Sequence, residues 1–297
     1  MSDWVESLRK AGRIARKVKE EAYRLVRPGA PMLEVCEKLE SMILDEGARP
    51  AFPCNISVDE VAAHFSPMPG DSRVIPPNSL VKVDVGVSVD GYIADTAVTV
   101  VLNPRLGVLA EAAEAALREV IRNIRHGVQI QELGYLAQRT IEGMGLKPIR
   151  NLTGHEIARY NLHAGLSIPS VAVAQPGRLQ KGRIYAIEPF VTTRVGAGEV
   201  VSGRDTTIFR VDAGRVLSMR LAGEERELAR ILAERFDSLP YSPRWIPGYE
   251  RYAKTHERMV RRGRIHGYPV LVERRGEPVA QAEHTVIVTE DGCEVIT

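Results

Sequence analysis

The stretch LVKVDVGVSVDGYIADTAVTV, residues 80–100, constrains the chain more than any other segment. Asp90-Gly91 between alternating β-branched residues is a hairpin signal, because a type I′ turn needs two residues that tolerate positive φ. With those two as the turn, Val89 pairs with Tyr92 and the register of both strands follows. Val81, Val83, Val85, Val87 and Val89 then share a face with Tyr92, Ala94, Thr96, Val98 and Val100. The other face carries Lys82, Asp84, Gly86 and Ser88 with Ile93, Asp95, Ala97 and Thr99. Asp84 falls opposite Ala97, so Asp95 is its diagonal neighbour at about 7–8 Å. Two carboxylates converging on a covered sheet repel and lose hydration unless a cation lies between them. Ordinary surface aspartates on a solvated face are the bland alternative. The small residues Gly86 and Ala97 beside the pair favour room kept for a bound group.

The rest of the chain is long enough, at 297 residues, for one large domain or two smaller ones. A net charge of +2 gives no general argument for nucleic acid or a membrane surface. No apolar run approaches the length of a spanning helix. The opening stretch has a helical apolar stripe, Trp4, Leu8, Ala11, Ala15, Val18, Ala22 and Leu25, that stops at Pro28-Gly29. It lacks the uncharged core of a signal peptide. Cys36, Cys54 and Cys293 form an odd, sparse set with no CxxC, which fits a reducing compartment and predicts a cytoplasmic protein.

Helical spacing is expected to about residue 27, over about 32–46, and in two runs within 107–145. From NLTGHEIARYNLHAG onward the pattern turns to strand and loop, including RIYAIEPFVTT. Residues 215–265 read as helix, a proline-rich break, and helix again, with basic residues outnumbering acidic ones. Strand character returns at GYPVLVERRGEPVAQAEHTVIV. The expectation is an α+β body, residues 1–195 and 267–297, interrupted by an insertion over 196–266 that contains a helical subdomain.

Three further polar groups sit in strand-like words: His155 in TGHEI, Glu188 in YAIEPF and Glu283 in AQAEHT. With Asp84 and Asp95 they make four carboxylates and one imidazole, an oxygen-rich set suited to Mn, Fe, Co or Zn. Carboxylates beyond one ion's needs point to two metals with bridging ligands. Taken singly, each acid reads as an ion-paired strand residue.

Together, AAHFSP, KVDVGVSVDGYIADTAVTV, GHEIARYNLHAG, AIEPF and AQAEHT, in that order, resemble the dinuclear aminopeptidases of the pita-bread fold over nearly the whole chain. Within that family the type II methionine aminopeptidases, archaeal-like, are the nearest in pattern. The resemblance implies two pseudo-symmetric halves around a curved antiparallel sheet, with the helical insertion between Glu188 and Glu283. It implies a metallo-exopeptidase that removes the initiator methionine from nascent chains with a small second residue. Its nucleophile would be a hydroxide held between two divalent ions (Co, Mn, Fe or Zn). Asp95 and Glu283 would bridge both ions, Asp84 would complete one, and His155 with Glu188 the other. Glu188 would also take a proton. His64 and His163 would contact the scissile peptide, and Phe52, Leu162 and Tyr268 would line the methionine pocket. A monomer in transient contact with the ribosome follows from the same likeness.

Without those motifs, His64 reads as a loop histidine capping backbone and His163 as a packed one. Cys54 reads as core, and His284, adjacent to Glu283, faces away. His126, His256 and His266 read as surface or loop residues, and GAG at 196–198 is too bare for nucleotide binding. Ala282 stands where relatives usually carry a bulky aromatic. A proline-type aminopeptidase of the same fold ranks second, since the first ligand at position 84 leaves no space for the N-terminal domain such enzymes carry. A catalytically silent ribosome- or RNA-binding relative ranks next, because all five ligand positions are filled. A plain scaffold with buried ion pairs ranks last, since the motifs hold no basic partners.

Overall fold

The computed structural model describes residues 3–297. Helices α1 (Asp3–Leu25) and α2 (Met32–Asp45) precede strands β1 (Arg49–Val58), β2 (Val61–Ala63), β3 (Leu80–Val89) and β4 (Tyr92–Val101). Helices α3 (Gly107–Asn123) and α4 (Ile130–Gly143) lead into β5 (Lys147–Pro148), β6 (Thr153–Ile157), β7 (Ser167–Pro169), β8 (Ile184–Ile187), β9 (Phe190–Thr192) and β10 (Val200–Arg210). Then come α5 (Ala213–Ser218), α6 (Gly223–Phe236), α7 (Tyr249–Arg261), β11 (His266–Glu273), β12 (Val279–Gln281), β13 (His284–Val288) and β14 (Cys293–Val295). Among the described residues no helix is long and apolar enough to cross a membrane.

Asp90 and Gly91 both take positive φ, at 53° and 84°, so β3 and β4 pair as Val89↔Tyr92, Asp84↔Ala97 and Gly86↔Asp95. The valine face lies under α1 and α2, in one core with Leu8, Ala11, Ala15, Val18, Val35 and Leu39. Each buried valine contributes about 1.5–3 kcal/mol. A slip of one residue would exchange the valines for Asp84 and Asp95, so the register is strongly specified. The aspartate face is thereby turned away from the helices, toward the second half of the molecule.

That half has its own core, where α3 and α4 cover strands through Leu109, Ala113, Leu117, Leu133, Tyr185, Ile187 and Val286. Its largest sheet runs β14-β13-β8-β6-β7. Gly154 sits where β6 meets β8, and a Cβ there would lie 2.3 Å from the carbonyl oxygen of Ala186. Only glycine allows this approach, which places the next residue, His155, opposite Ala186.

The segment expected as an insertion has two parts. Strand β10, the VVSGRDTTIFR run, pairs antiparallel with β11, which in turn pairs with β2 of the body. Beyond this stem, Phe209, Leu228, Leu232, Phe236, Tyr241, Tyr252, Met259 and Ile265 form a separate cluster around α5, α6 and α7. His256 packs against that cluster and is 2% exposed, which corrects its expected surface position. Its Nε2 lies 2.9 Å from the Tyr241 hydroxyl, and its ring meets the Phe209 ring edge-on at 4.6 Å. The helical period of α7 turns it inward beside Tyr252 and Met259.

Gly154→Ala is expected to cost about 1–3 kcal/mol through overpacking against β8. Urea unfolding would read it as a lower midpoint at constant slope. An unchanged midpoint would mean that β6 can retreat from β8 freely.

Candidate active site

The two halves meet where the free edge of β4 runs beside residues 281–285. A regular ladder does not form there. Among the described residues one backbone bond crosses, Glu283 N–H to Ala97 O at 3.2 Å, and threonine hydroxyls make the rest. Thr285 Oγ1 accepts from Asp95 N and donates to Asp95 O, both at 2.8 Å. Thr96 Oγ1 donates to Glu283 O at 2.8 Å. Thr99 Oγ1 donates to Gln281 O at 2.6 Å and accepts from Gln281 N at 2.9 Å. The main chain is therefore fastened on both sides of Asp95 and at Glu283.

The expected ligand residues converge at this seam. Ligand atoms of Asp95, His155 and Glu283 lie within 4.8 Å of one another. His155 Nε2 is 3.6 Å from Asp95 Oδ2 and 3.5 Å from Glu188 Oε1. Asp84 enters from the neighbouring strand, and Gln281 Nε2 approaches both Asp84 Oδ2 (3.5 Å) and Glu283 Oε2 (3.4 Å). Glu188 stands between β8 and β9, where Pro189 removes a ladder donor and frees the strand to bend.

Burial dominates the electrostatics. Desolvation raises the Asp84 carboxyl to about 7. Desolvation, with Asp84 and Glu188 adding repulsion, holds Asp95 well above the carboxylate range. Glu188 and Glu283 rise for the same reasons, burial first. His155 falls to about 3, through burial and then the nearby His163. Among the described residues no lysine or arginine forms a salt bridge with these four acids. Lys82, on the aspartate face, instead donates to Asp59 O at 2.7 Å. Asp84 Oδ1, Asp95 Oδ1 and His155 Nδ1 are buried without a hydrogen-bond partner among the described residues. Four acids, one neutral imidazole and orphaned oxygen acceptors make a donor set that fits hard divalent cations.

A cavity of about 280 Å³ opens over the acids, and all ten residues expected at the site line it: Phe52, His64, Asp84, Asp95, His155, Leu162, His163, Glu188, Tyr268 and Glu283. Phe52 occupies the room beside Gly86, where a Cβ would lie 2.3 Å from its ring. His64 holds φ at 64°, and its Nδ1 lies 3.3 Å from Pro269 O. Burial lowers its pKa. The His163 ring centroid is 4.4 Å from that of His155, and burial, then His64 and Arg210, lowers His163 to about 4. Both rings are neutral near pH 7. Cys54 is buried in the core beneath, and His284 turns to Thr297 Oγ1 at 3.1 Å.

The sequence reading left out Asn55, Asn151, Ile208 and Pro240, which also line the cavity, and the seam threonines. Gln281 carried a usable signal, a polar residue two positions before Glu283 in a strand-like run. The threonines carried none, since threonine is ordinary in strands.

The chain belongs to metallopeptidase family M24, which it matches over residues 6–290, and its fold is that family's pita-bread fold. A relative from Methanothermobacter thermautotrophicus called methionine aminopeptidase is 43% identical over 303 residues, covering 100% of both chains. Among solved structures, a thermophilic Arx1 superposes with a TM-score of 0.84 at 17% identity, covering 100% of this chain and 91% of that one. The methionine aminopeptidase of Thermotoga maritima superposes at 0.72 with 22% identity, covering 100% and 97%. At these identities the structural likenesses speak for the fold alone.

The sign of the pH dependence follows from the shifts. An acid raised in the folded state stabilises below its unfolded pKa and loses that contribution as pH rises through the folded value, about 7 for Asp84. His155, lowered to about 3, destabilises the fold only as pH falls below the unfolded value of about 6.5. Between about pH 6.5 and 8 the four acids lower stability as pH rises, opposed by the single amine of Lys82, which burial lowers to about 7. Chelator-treated protein should therefore melt lower at pH 8 than at pH 6.5, and Mn²⁺ should raise Tm most at pH 8. A flat Tm, or no response to Mn²⁺, would contradict the charge assignment.

Proposed function

We propose that this chain is a metal-dependent aminopeptidase that removes an N-terminal methionine followed by a small residue. The observation that carries the reading is the convergence of four buried acids and His155, with no lysine or arginine salt bridge to the acids among the described residues, on the floor of a cavity walled by Phe52, Leu162 and Tyr268. Full-length likeness to a methionine aminopeptidase supports the choice of substrate.

In this reading Asp84, Asp95, His155, Glu188 and Glu283 would hold two divalent ions, from among Co, Mn, Fe and Zn. The chemistry such ions supply when bound is a lowered water pKa and a polarised carbonyl. The chain's own groups do the rest. Phe52, Leu162 and Tyr268 exclude water around the methionine side chain and fix its carbonyl over the acids. With Nδ1–H donated to Pro269 O, His64 Nε2 keeps a lone pair for the scissile N–H. His163, neutral by burial, orients the peptide from the other wall. Glu188 Oε1, in a site that favours its protonated form, accepts the nucleophile's proton. The insertion over 196–266 closes one wall through Ile208 of its β10 stem and Pro240 of its helical part, beside Tyr268 on β11.

Release of free methionine tests the reading. Metal-stripped protein reconstituted with Mn, Co, Fe or Zn should cleave Met-Ala-Ser but not Met-Lys-Ser, and Asp95→Ala should abolish cleavage while remaining folded. No release with any metal would refute the enzymatic reading and leave the silent binding relative.

The reading places the activity in the cytoplasm, in a monomer that meets nascent chains at the ribosome. Lys254 and Arg261 are exposed on α7, flanked by Arg251 and Arg262, which pair with Glu227 and Glu225, and offer a small basic patch. Phosphate contacts of this kind weaken steeply with salt. Co-sedimentation with ribosomes should appear in low salt and vanish in high salt, and its absence in low salt would remove the ribosome from the reading.

A further inference from the structure

The backbone of His64 is held in a left-handed conformation, with φ at 64°, which costs a non-glycine residue enough that its surroundings must over-determine it. Thr207, on β10 and 3% exposed, supplies one constraint. Its Oγ1 donates to His64 O at 3.3 Å and accepts from Ser66 N at 3.1 Å. One hydroxyl thus clips the chain on both sides of Phe65. Arg244 supplies the second constraint from the helical segment. Its Nε donates to Pro67 O at 2.7 Å and its Nη2 to Ser66 Oγ at 3.0 Å.

The guanidinium is itself fixed. Both Nη atoms bond the Glu40 carboxylate of α2, at 2.8 and 2.9 Å. That carboxylate also accepts from Trp245 Nε1 at 2.9 Å and from Cys54 N, on β1, at 3.0 Å. The Arg244 and Glu40 side chains are only 4% and 7% exposed. A buried ion pair is weak evidence for stability, since apolar residues of similar volume often do as well. Its rigid fork is well suited to fixing a position.

We propose that Thr207 and Arg244 are positioning residues that hold the His64 imidazole at the substrate, so that the helical segment takes part in catalysis through the loop 64–67. The proposal rests on the aminopeptidase reading for the role of His64, and on the hydrogen bonds above for its mechanism. Thr207→Val keeps the shape and removes both bonds, whereas Thr207→Ser keeps the hydroxyl.

Three readouts test it: kcat and KM for Met-Ala-Ser with Mn²⁺, Mn²⁺ affinity by calorimetry, and the ring Cε1–H resonance of His64, assigned by its loss in His64→Asn. Thr207→Val should lower kcat by about tenfold or more, the scale of a misplaced catalytic group. KM should stay within about twofold, as for a group acting in the transition state. Mn²⁺ affinity should hold, and the His64 resonance should move. Thr207→Ser should match the wild type in all three. The double variant Glu40→Gln with Arg244→Met, which leaves no unpaired charge, should repeat the Thr207→Val pattern. A His64 resonance unmoved in Thr207→Val, or a Thr207→Ser that falls as far as Thr207→Val, would overturn the proposal. If the wild type releases no methionine with any metal, the activity reading fails, while the resonance comparison still decides the positioning.

Discussion

Four carboxylates that repel one another are held in one buried space chiefly by backbone and hydroxyl groups, with the Lys19 amine bonded behind them to Thr96 Oγ1. The seam between β4 and residues 281–285 does this holding. A threonine hydroxyl can accept from one backbone N–H and donate to one C=O, so it satisfies the polar groups that an interrupted ladder would leave bare. Thr285 does so for both backbone groups of Asp95, and Thr99 for both of Gln281. Each such bond is worth about 0.5–1.5 kcal/mol net. An unmet buried group costs more, so the seam matters chiefly through what its absence would expose. A conventional ladder would have fixed the strands at one spacing. The hydroxyl-filled seam leaves the acids from both halves facing a common cavity.

Repulsion at this site is also the reason for its chemistry. Burial alone would favour neutral carboxyls, and Asp84 near 7 in the metal-free protein reflects that. The strand geometry nonetheless keeps all four acids in place, backed by cores that exceed the cost of the site. The same burial makes His64 and His163 neutral, which leaves their ring nitrogens free to accept as well as donate. One physical cause, desolvation, thereby prepares the acids to receive cations and the imidazoles to handle a peptide.

Much of this was legible in the sequence wherever a local rule had one solution. Asp90-Gly91 permits one turn geometry, that turn permits one register, and the register puts Asp84 and Asp95 on one face. His155, Glu188 and Glu283 were visible because acids and imidazole are costly in apolar strands, although their meeting place depends on tertiary packing that no local pattern encodes. His256 was misjudged because it lies outside every motif, and only the period of α7 and its aromatic neighbours bury it. The Thr207 and Arg244 contacts were illegible for a different reason. They join residues far apart in the chain, and their residue types are ordinary where they stand.

The helical segment shows how a fold can be extended without disturbing its centre. Its apolar cluster is separate from the others, while Leu239, just after α6, joins the valine-face core. Beside apolar contacts at Leu239 and Met68, the segment has directional polar attachments. The β10–β11 stem carries Thr207 and Tyr268, and Arg244 reaches α2 and the loop after His64. Apolar packing gives the attachment strength with little direction. Hydrogen bonds with fixed angles give direction with little net strength. A wall that must present one imidazole at one place needs direction more, which is why charge and hydroxyl are concentrated where the segment touches the body.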